Sequence, residues 1–159
     1  MKISILFLIL IPILAISSFA ITSVNGSVGL PSSGYAVGLT FKSIGTMGFE
    51  LTVEGTVNNL TDLSQIGNIS KWYLYPTLLV SLPTGEIRPY AGLGIMTTFS
   101  PNGGFGPVSI TPLYYHVGID MFLGALSAFA EGQGIYNITT NITSFSNITE
   151  WRFGLGLAF

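Results

Sequence analysis

From about residue 22 onward, large apolar residues alternate with small or polar ones at a period of two. Successive side chains of a β-strand point to opposite faces, so this period predicts strands with one apolar face. The clearest case is Trp151-Arg152-Phe153-Gly154-Leu155-Gly156-Leu157-Ala158-Phe159, where odd positions are large and apolar and even positions charged or small. The same reading predicts strands at Thr22–Leu30, Tyr35–Lys42, Met47–Val57, Lys71–Leu82, Ile87–Thr97, Leu113–Leu123 and Leu126–Ile138. That makes eight, most of them near the roughly 9–11 residues with which a tilted strand crosses a bilayer.

The links between segments fall into two kinds. Ser43-Ile44-Gly45-Thr46, Pro83-Thr84-Gly85-Glu86 and Gly124-Ala125 are short and carry the Gly or Pro of tight turns. Asn58–Ser70, Ser100–Thr111 and Thr139–Thr149 are longer and rich in Asn, Ser, Thr and Gly, while Pro31-Ser32-Ser33-Gly34 is a brief link on their side. Short turns at one end and longer loops at the other is the asymmetry of outer-membrane barrels.

The alternation also sorts the charges. The apolar parity includes Phe49, Leu51, Val53, Leu74, Leu78, Val80, Leu93, Ile95, Val117, Ile119, Leu155 and Leu157, and holds no charged residue. The opposite parity holds Lys42, Glu50, Glu54, Lys71, Arg88, Asp120, Glu131, Glu150 and Arg152; Asp62 and Glu86 fall in links. For a two-fold period, nine charges on one side arise by chance about once in 500. A soluble lipid-carrying barrel would show the reverse, with charges outside. Composition agrees: 8% of residues are charged, against roughly a quarter in soluble domains, and mean hydropathy is +0.64. Beyond the first twenty residues no apolar run approaches the roughly 18–20 residues of a spanning helix. The expectation is an all-β, eight-stranded, antiparallel up-and-down transmembrane β-barrel over residues 21–159, with lipid outside and polar residues in the lumen. A bilayer admits strands only when the sheet closes and satisfies every backbone group.

Residues 1–20 read as a cleavable signal peptide, with Lys2 as the basic end, an apolar stretch from Ile3 to Ile16, and Ser18-Phe19-Ala20 as the cleavage pattern. Without cysteine there is neither a lipid-anchor site nor a disulfide framework. Four basic residues then face seven acidic ones with no basic patch, which argues against nucleic acid as a partner.

Tyr35, Trp72, Tyr115, Tyr136 and Trp151 share the apolar parity at the long-loop end, and Phe41 and Phe159 sit at the other end. They form two expected membrane-interface girdles. The segment Gly154-Leu155-Gly156-Leu157-Ala158-Phe159 and the phrase Arg88-Pro89-Tyr90-Ala91-Gly92-Leu93-Gly94-Ile95 resemble the small outer-membrane β-barrel proteins of double-membraned bacteria. The chain is similar to the eight-stranded transmembrane domains typified by outer-membrane protein A. The resemblance implies a monomer in the bacterial outer membrane with outer-membrane lipid as its surroundings. It also implies that Gly154, Leu155, Leu157 and Phe159 are an assembly signal read by the barrel-assembly machinery. It is specific for architecture and nearly silent about function.

Counted from the short-turn end, Glu54, His116, Glu131 and Arg152 fall at similar depth, roughly 20–27 Å at about 3.3 Å per residue. With Glu50, Asp120 and Arg88 they form a candidate polar network in the lumen. A gate or selectivity filter is one reading, and an ion-pair network that fills the barrel is the other. The second is preferred, because eight strands enclose just enough space for side chains. His116, the single histidine, lies about 13 Å along the strand from Asp120, too far for a base and its orienting partner. Cross-strand Glu131 or Ser127 is closer. No catalytic residue, cofactor site or metal site is expected, since no second His or Cys completes a metal set.

Gly92, Gly94, Gly154 and Gly156 fall on the lumen parity, making room for long partners such as Arg152 and Tyr90, whereas Gly132 and Gly134 fall on the lipid parity. Asn-x-Ser/Thr triplets begin at Asn25, Asn59, Asn68, Asn137, Asn141 and Asn147, and read as strand ends and loops. The expected role is a structural or surface-interaction scaffold with a filled lumen and an unidentified extracellular partner. The alternatives are a narrow pore for ions or small solutes and, ranked last, a lipid-modifying enzyme.

Overall fold

The alternating segments form the wall of a closed barrel. The computed structural model describes residues 20–82, 84–136 and 145–159. Residues 1–19 of the expected signal peptide, Pro83 and residues 137–144, with the Asn137 and Asn141 triplets, lie outside the described residues. In chain order the elements are β1 (Ile21–Pro31), β2 (Tyr35–Ile44), β3 (Met47–Val57), α1 (Leu63–Gly67), β4 (Trp72–Ser81), β5 (Ile87–Ser100), β6 (Gly104–Phe105), β7 (Ser109–Leu123), β8 (Leu126–Tyr136) and β9 (Phe145–Ala158). Eight long strands pair antiparallel with their neighbours, β1 pairs with β9, and two-residue β6 only extends the end of β5. No edge is left open, so every wall strand has a partner on both sides.

Closure carries a stagger. Stepping across paired residues once around the wall from Ile21 returns to β1 at Pro31, ten residues along. Eight strands with a stagger of this size tilt by roughly 35–45°. Burial follows the alternation. Leu39, Leu78 and Leu155 are 61%, 65% and 75% exposed on the outer face, while Thr40, Lys42, Glu50 and Arg152 are fully buried inside. The interior is polar and the exterior apolar, the inverse of a soluble core.

Five strands, β1, β2, β5, β7 and β9, outrun the alternation that marks them in the sequence, β9 and β7 by the most. β9 begins at Phe145 rather than Trp151, because Gln133 pairs with Glu150 while the next residue, Gly134, pairs with Ile148. Thr149 is the extra residue of this bulge, and its hydroxyl donates to the Gln133 carbonyl at 3.2 Å. One inserted residue shifts the phase of the alternation upstream. A second irregularity, where Gly94 pairs with Tyr114 but Met96 with Ser109, hides the first residues of β7.

The link between β3 and β4 holds α1, which the period of two cannot reveal. Asp62 caps it by accepting from the Ser64 backbone N–H at 3.1 Å. This link folds back on the outer wall: Ile69 lies over Gly55, and Val57 is buried although it faces outward. Gly34 (φ 73°) and Gly124 (φ 64°) supply left-handed backbone in two of the tight links.

The strand glycines serve close packing. Gly154 lies under the Phe129 ring and Gly118 under the Tyr90 hydroxyl, so Phe129, not Arg152, is the side chain that uses the space at Gly154. Outward-facing Gly132 and Gly134 are covered by Ile148 and Tyr115.

Candidate functional site: the lumen ion-pair network

Hairpin pairing brings the lumen charges together. Lys42 faces Glu50 directly across the β2–β3 hairpin, and Glu131 faces Arg152 across β8–β9. Arg152 is fully buried and reaches three carboxylates: Nη1 to Glu131 Oε1 at 3.1 Å, Nη2 to Glu54 Oε1 at 3.1 Å and Nε to Glu150 Oε1 at 3.4 Å. Its guanidinium lies 4.7 Å from the centre of the Tyr75 ring. The planar fork of five donors suits one arginine to several acceptors at once.

Lys42 is the second hub. Its ammonium lies 3.3 Å from Glu50, 3.4 Å from Asp120 and 3.7 Å from Glu131. It donates to the Tyr90 hydroxyl at 2.5 Å, and Tyr90 donates in turn to Glu131 Oε2 at 2.7 Å. The Tyr90 and Phe129 rings sit 4.1 and 3.9 Å from the same nitrogen. An ammonium among carboxylates and ring faces loses its water but keeps its electrostatic partners.

Glu54, His116, Glu131, Arg152, Glu50 and Asp120 therefore belong to one connected cluster. Arg88 does not. Although its backbone pairs with Asp120, its side chain turns toward the short-turn end, donating to the Ile44 carbonyl at 2.9 Å and the Gly85 carbonyl at 3.2 Å. Lys71 is exposed ahead of β4, with its ammonium 5.1 Å from the Tyr73 ring centre. The sequence reading passed over Lys42 and Tyr90 as site residues. The signal for Lys42 was its place opposite Glu50 around a tight turn, while Tyr90 carries no charge to mark it.

His116 is fully buried. Nδ1 faces Glu131 Oε1 at 3.2 Å and Glu50 Oε1 at 3.6 Å, and Nε2 faces the Thr77 hydroxyl at 3.4 Å. Ser127 instead donates to Asn25 at 2.6 Å. Asn25 is itself fully buried in the lumen, so its triplet lies inside the wall rather than at a strand end or loop. The ligand atoms of Glu50, His116 and Glu131 lie within 4.8 Å of one another, a spacing that can hold a metal ion. The same carboxylates already bind Lys42 and Arg152, so the donor set is that of an ion-pair network.

Among the described residues, five buried carboxylates meet two buried cations and one histidine. Asp120 Oδ2 and Glu50 Oε2 have no hydrogen-bond partner, although the latter faces Lys42. Uncharged side chains share the lumen with the cluster, and Thr52 donates to Glu50 Oε1 at 3.0 Å. Thr40 and Thr52 share a 3.0 Å hydrogen bond, and Ile44, Leu79, Tyr90, Phe122 and Ala158 form a buried apolar group.

The seven expected interface aromatics lie on the outer wall, whereas Tyr75, Tyr90, Phe122 and Phe129 are buried inside. Tyr35, Trp72, Tyr115 and Tyr136 are half-buried, and Trp151, Phe41 and Phe159 are exposed. Phe145 joins them, stacked on Tyr136 at 4.7 Å and edge-on to Tyr115 at 5.3 Å. Leu155, Leu157 and Phe159 project outward, and Phe159 exchanges two backbone hydrogen bonds with Thr22.

Among solved structures, the chain is similar to the N-terminal β-barrel domain of Pseudomonas aeruginosa OprF. The identity is 13%, 87% of this chain and 96% of that one are covered, and the TM-score is 0.56. It also matches Neisserial surface protein A (NspA), with 13% identity, 87% and 92% coverage and a TM-score of 0.40. The first likeness shows the fold, a closed eight-stranded barrel of the outer-membrane type. No family model matches the chain, and neither does any curated protein.

Proposed function

We propose that this protein is a bacterial outer-membrane barrel that serves as a lipid-embedded scaffold, presenting its longer links outside the cell and keeping its lumen closed. The single observation that carries the reading is the inversion of polarity: large aliphatic side chains cover the outside, and every charge deep in the wall points inward. Only a hydrocarbon environment makes that arrangement favourable for a closed sheet. The first structural neighbour is an outer-membrane barrel domain, which supports the same location. Outer-membrane lipid is then the permanent surroundings of a monomeric barrel, and the barrel-assembly machinery its partner during insertion.

The closed lumen rests on the ion pairs of Lys42 and Arg152, which cross the interior from strand to strand. The pore remains the second reading because the lumen core is charged, with carboxylates in excess; an open lumen would favour cations. The enzymatic reading lacks support: His116 is sealed in the lumen, and among the described residues no serine hydroxyl bonds to it.

Planar-bilayer recording of the refolded protein separates the two. The scaffold reading expects no steady conductance at neutral pH, and a steady, cation-selective conductance would replace it with the pore.

A further inference from the structure

A cleft of about 690 Å³ runs across the outer wall at the loop end, lined by Gly26, Val37 and Val53 of the strands and by Ile66 of α1, Trp72 and Phe99. Its volume falls within the roughly 300–1,000 Å³ of small-molecule sites. Two features make it a cleft rather than bare wall. Gly26 faces outward, and a Cβ built there meets only the Leu155 carbonyl, at 3.9 Å, so the space beside β1 is open. On the other side the α1 link turns back along the wall, with Ile69 lying over Gly55 and Ile66 forming a lip.

The chemistry of the lining selects the occupant. Apart from the Trp72 indole N–H, Ser27 is the one polar side chain among the lining residues, and it is buried within the wall. Water held there would lack the two to four polar partners that an ordered water needs. The cleft is also continuous with the exposed apolar exterior through Leu39, 61% exposed, which lines it. Trp72, which lines the cleft and is the first residue of β4, fits the boundary between chains and headgroups.

We propose that this cleft holds one acyl chain of a lipid from the loop-side leaflet, clasped between the β1–β3 wall and α1. The proposal rests on the reading that the wall faces lipid. Lipid elsewhere on the wall meets a convex surface and exchanges freely, whereas this chain is enclosed on two sides.

The test uses the full protein refolded into phosphatidylcholine vesicles carrying a minor fraction of phosphatidylcholine with a diazirine near the middle of one acyl chain. After irradiation, peptide mass spectrometry locates the adducts. The expected result is labelling at Leu39, Ile66 and Trp72 in excess of that at Leu155 and Trp151. Gly26→Leu, which fills the cleft from an open position, abolishes the excess and leaves labelling at Leu155 intact. Ile66→Ser, which removes the lip from a link residue outside the barrel wall, lowers it as a second, independent check. Uniform labelling of all outward sites overturns the cleft while the membrane reading stands. Absence of labelling anywhere on the wall overturns both. A disulfide-linked dimer through Leu39→Cys, with no excess labelling, assigns the cleft to a second copy and also overturns the proposal.

Discussion

At the scale of single residues, what decides each position is which face of the wall it occupies and what already fills that face. Leu155 and Gly154 are neighbours with opposite surroundings. Leu155 is 75% exposed to the outside, so Leu155→Arg places a charge in hydrocarbon, costing about 2–4 kcal/mol near the midplane. Urea titration of the barrel in vesicles reads that loss. Facing the lumen does not by itself make a methyl group costly at Gly154. The Phe129 ring over it changes this: Gly154→Ala forces a buried ring to move, which costs about 1–3 kcal/mol. Phe129→Leu makes room, so the double variant should be more stable than the sum of the single effects requires. Additive effects would mean the ring does not pack on Gly154.

The buried cations answer to the same logic. Arg152→Met leaves Glu54, Glu131 and Glu150 without their shared partner in a space closed to water. Truncating one member of such a set costs about 3–5 kcal/mol, readable as a lower urea midpoint. Sequence parity alone puts Arg152 and Glu131 on one face, since charge and alternation are both visible in the chain. Depth and direction are not visible there. Arg88 shares the parity but bends to the Ile44 and Gly85 carbonyls, because its long stem reaches the turn end where backbone acceptors are free. Asn25 carries a glycosylation-type triplet, yet it lies inside the barrel bonded to Ser23 and Ser127. A three-residue motif carries no information about burial.

At the scale of elements, alternation reveals a strand only while its phase is kept. The wall segments from Met47 to Val57 and from Leu126 onward are legible for that reason. β9 loses its first six residues to the sequence reading because Thr149 bulges, and β7 loses its start to the irregularity opposite Gly94 and Met96. α1 has only five residues, too few to show a helical period. Its stability depends instead on its cap. Hydrogen bonds from the Ser64 and Gln65 side chains and backbone hold the Asp62 carboxyl below its ordinary value of 3.8. A lowered value means that the folded link favours the charged form. That contribution is fully present above pH 3.8 and is lost as pH falls through the lower folded value. Amide exchange at Ser64 and Gln65 should therefore accelerate selectively in that acid window. Asp62→Ala should show the faster exchange at neutral pH, and Asp62→Asn, which keeps an acceptor, should show much less of it.

At the scale of the whole molecule, the apolar wall faces outward with the charges enclosed. The low charge content, the unbroken apolar parity and the closed pairing of β1 with β9 are three views of that one arrangement. The absence of cysteine allows single-cysteine labelling without removing any native residue chemistry. The most direct measurement attaches a nitroxide at Leu39, Leu78, Ile119 and Leu155 on the wall, and at Asn59 and Phe105 in the links, of the protein in lipid vesicles. Collision rates with dissolved oxygen, which concentrates in hydrocarbon, are compared with those of a water-soluble nickel chelate. With the wall in lipid, the four wall sites favour oxygen and the two link sites favour nickel. Wall sites as open to the nickel chelate as the links would contradict that placement.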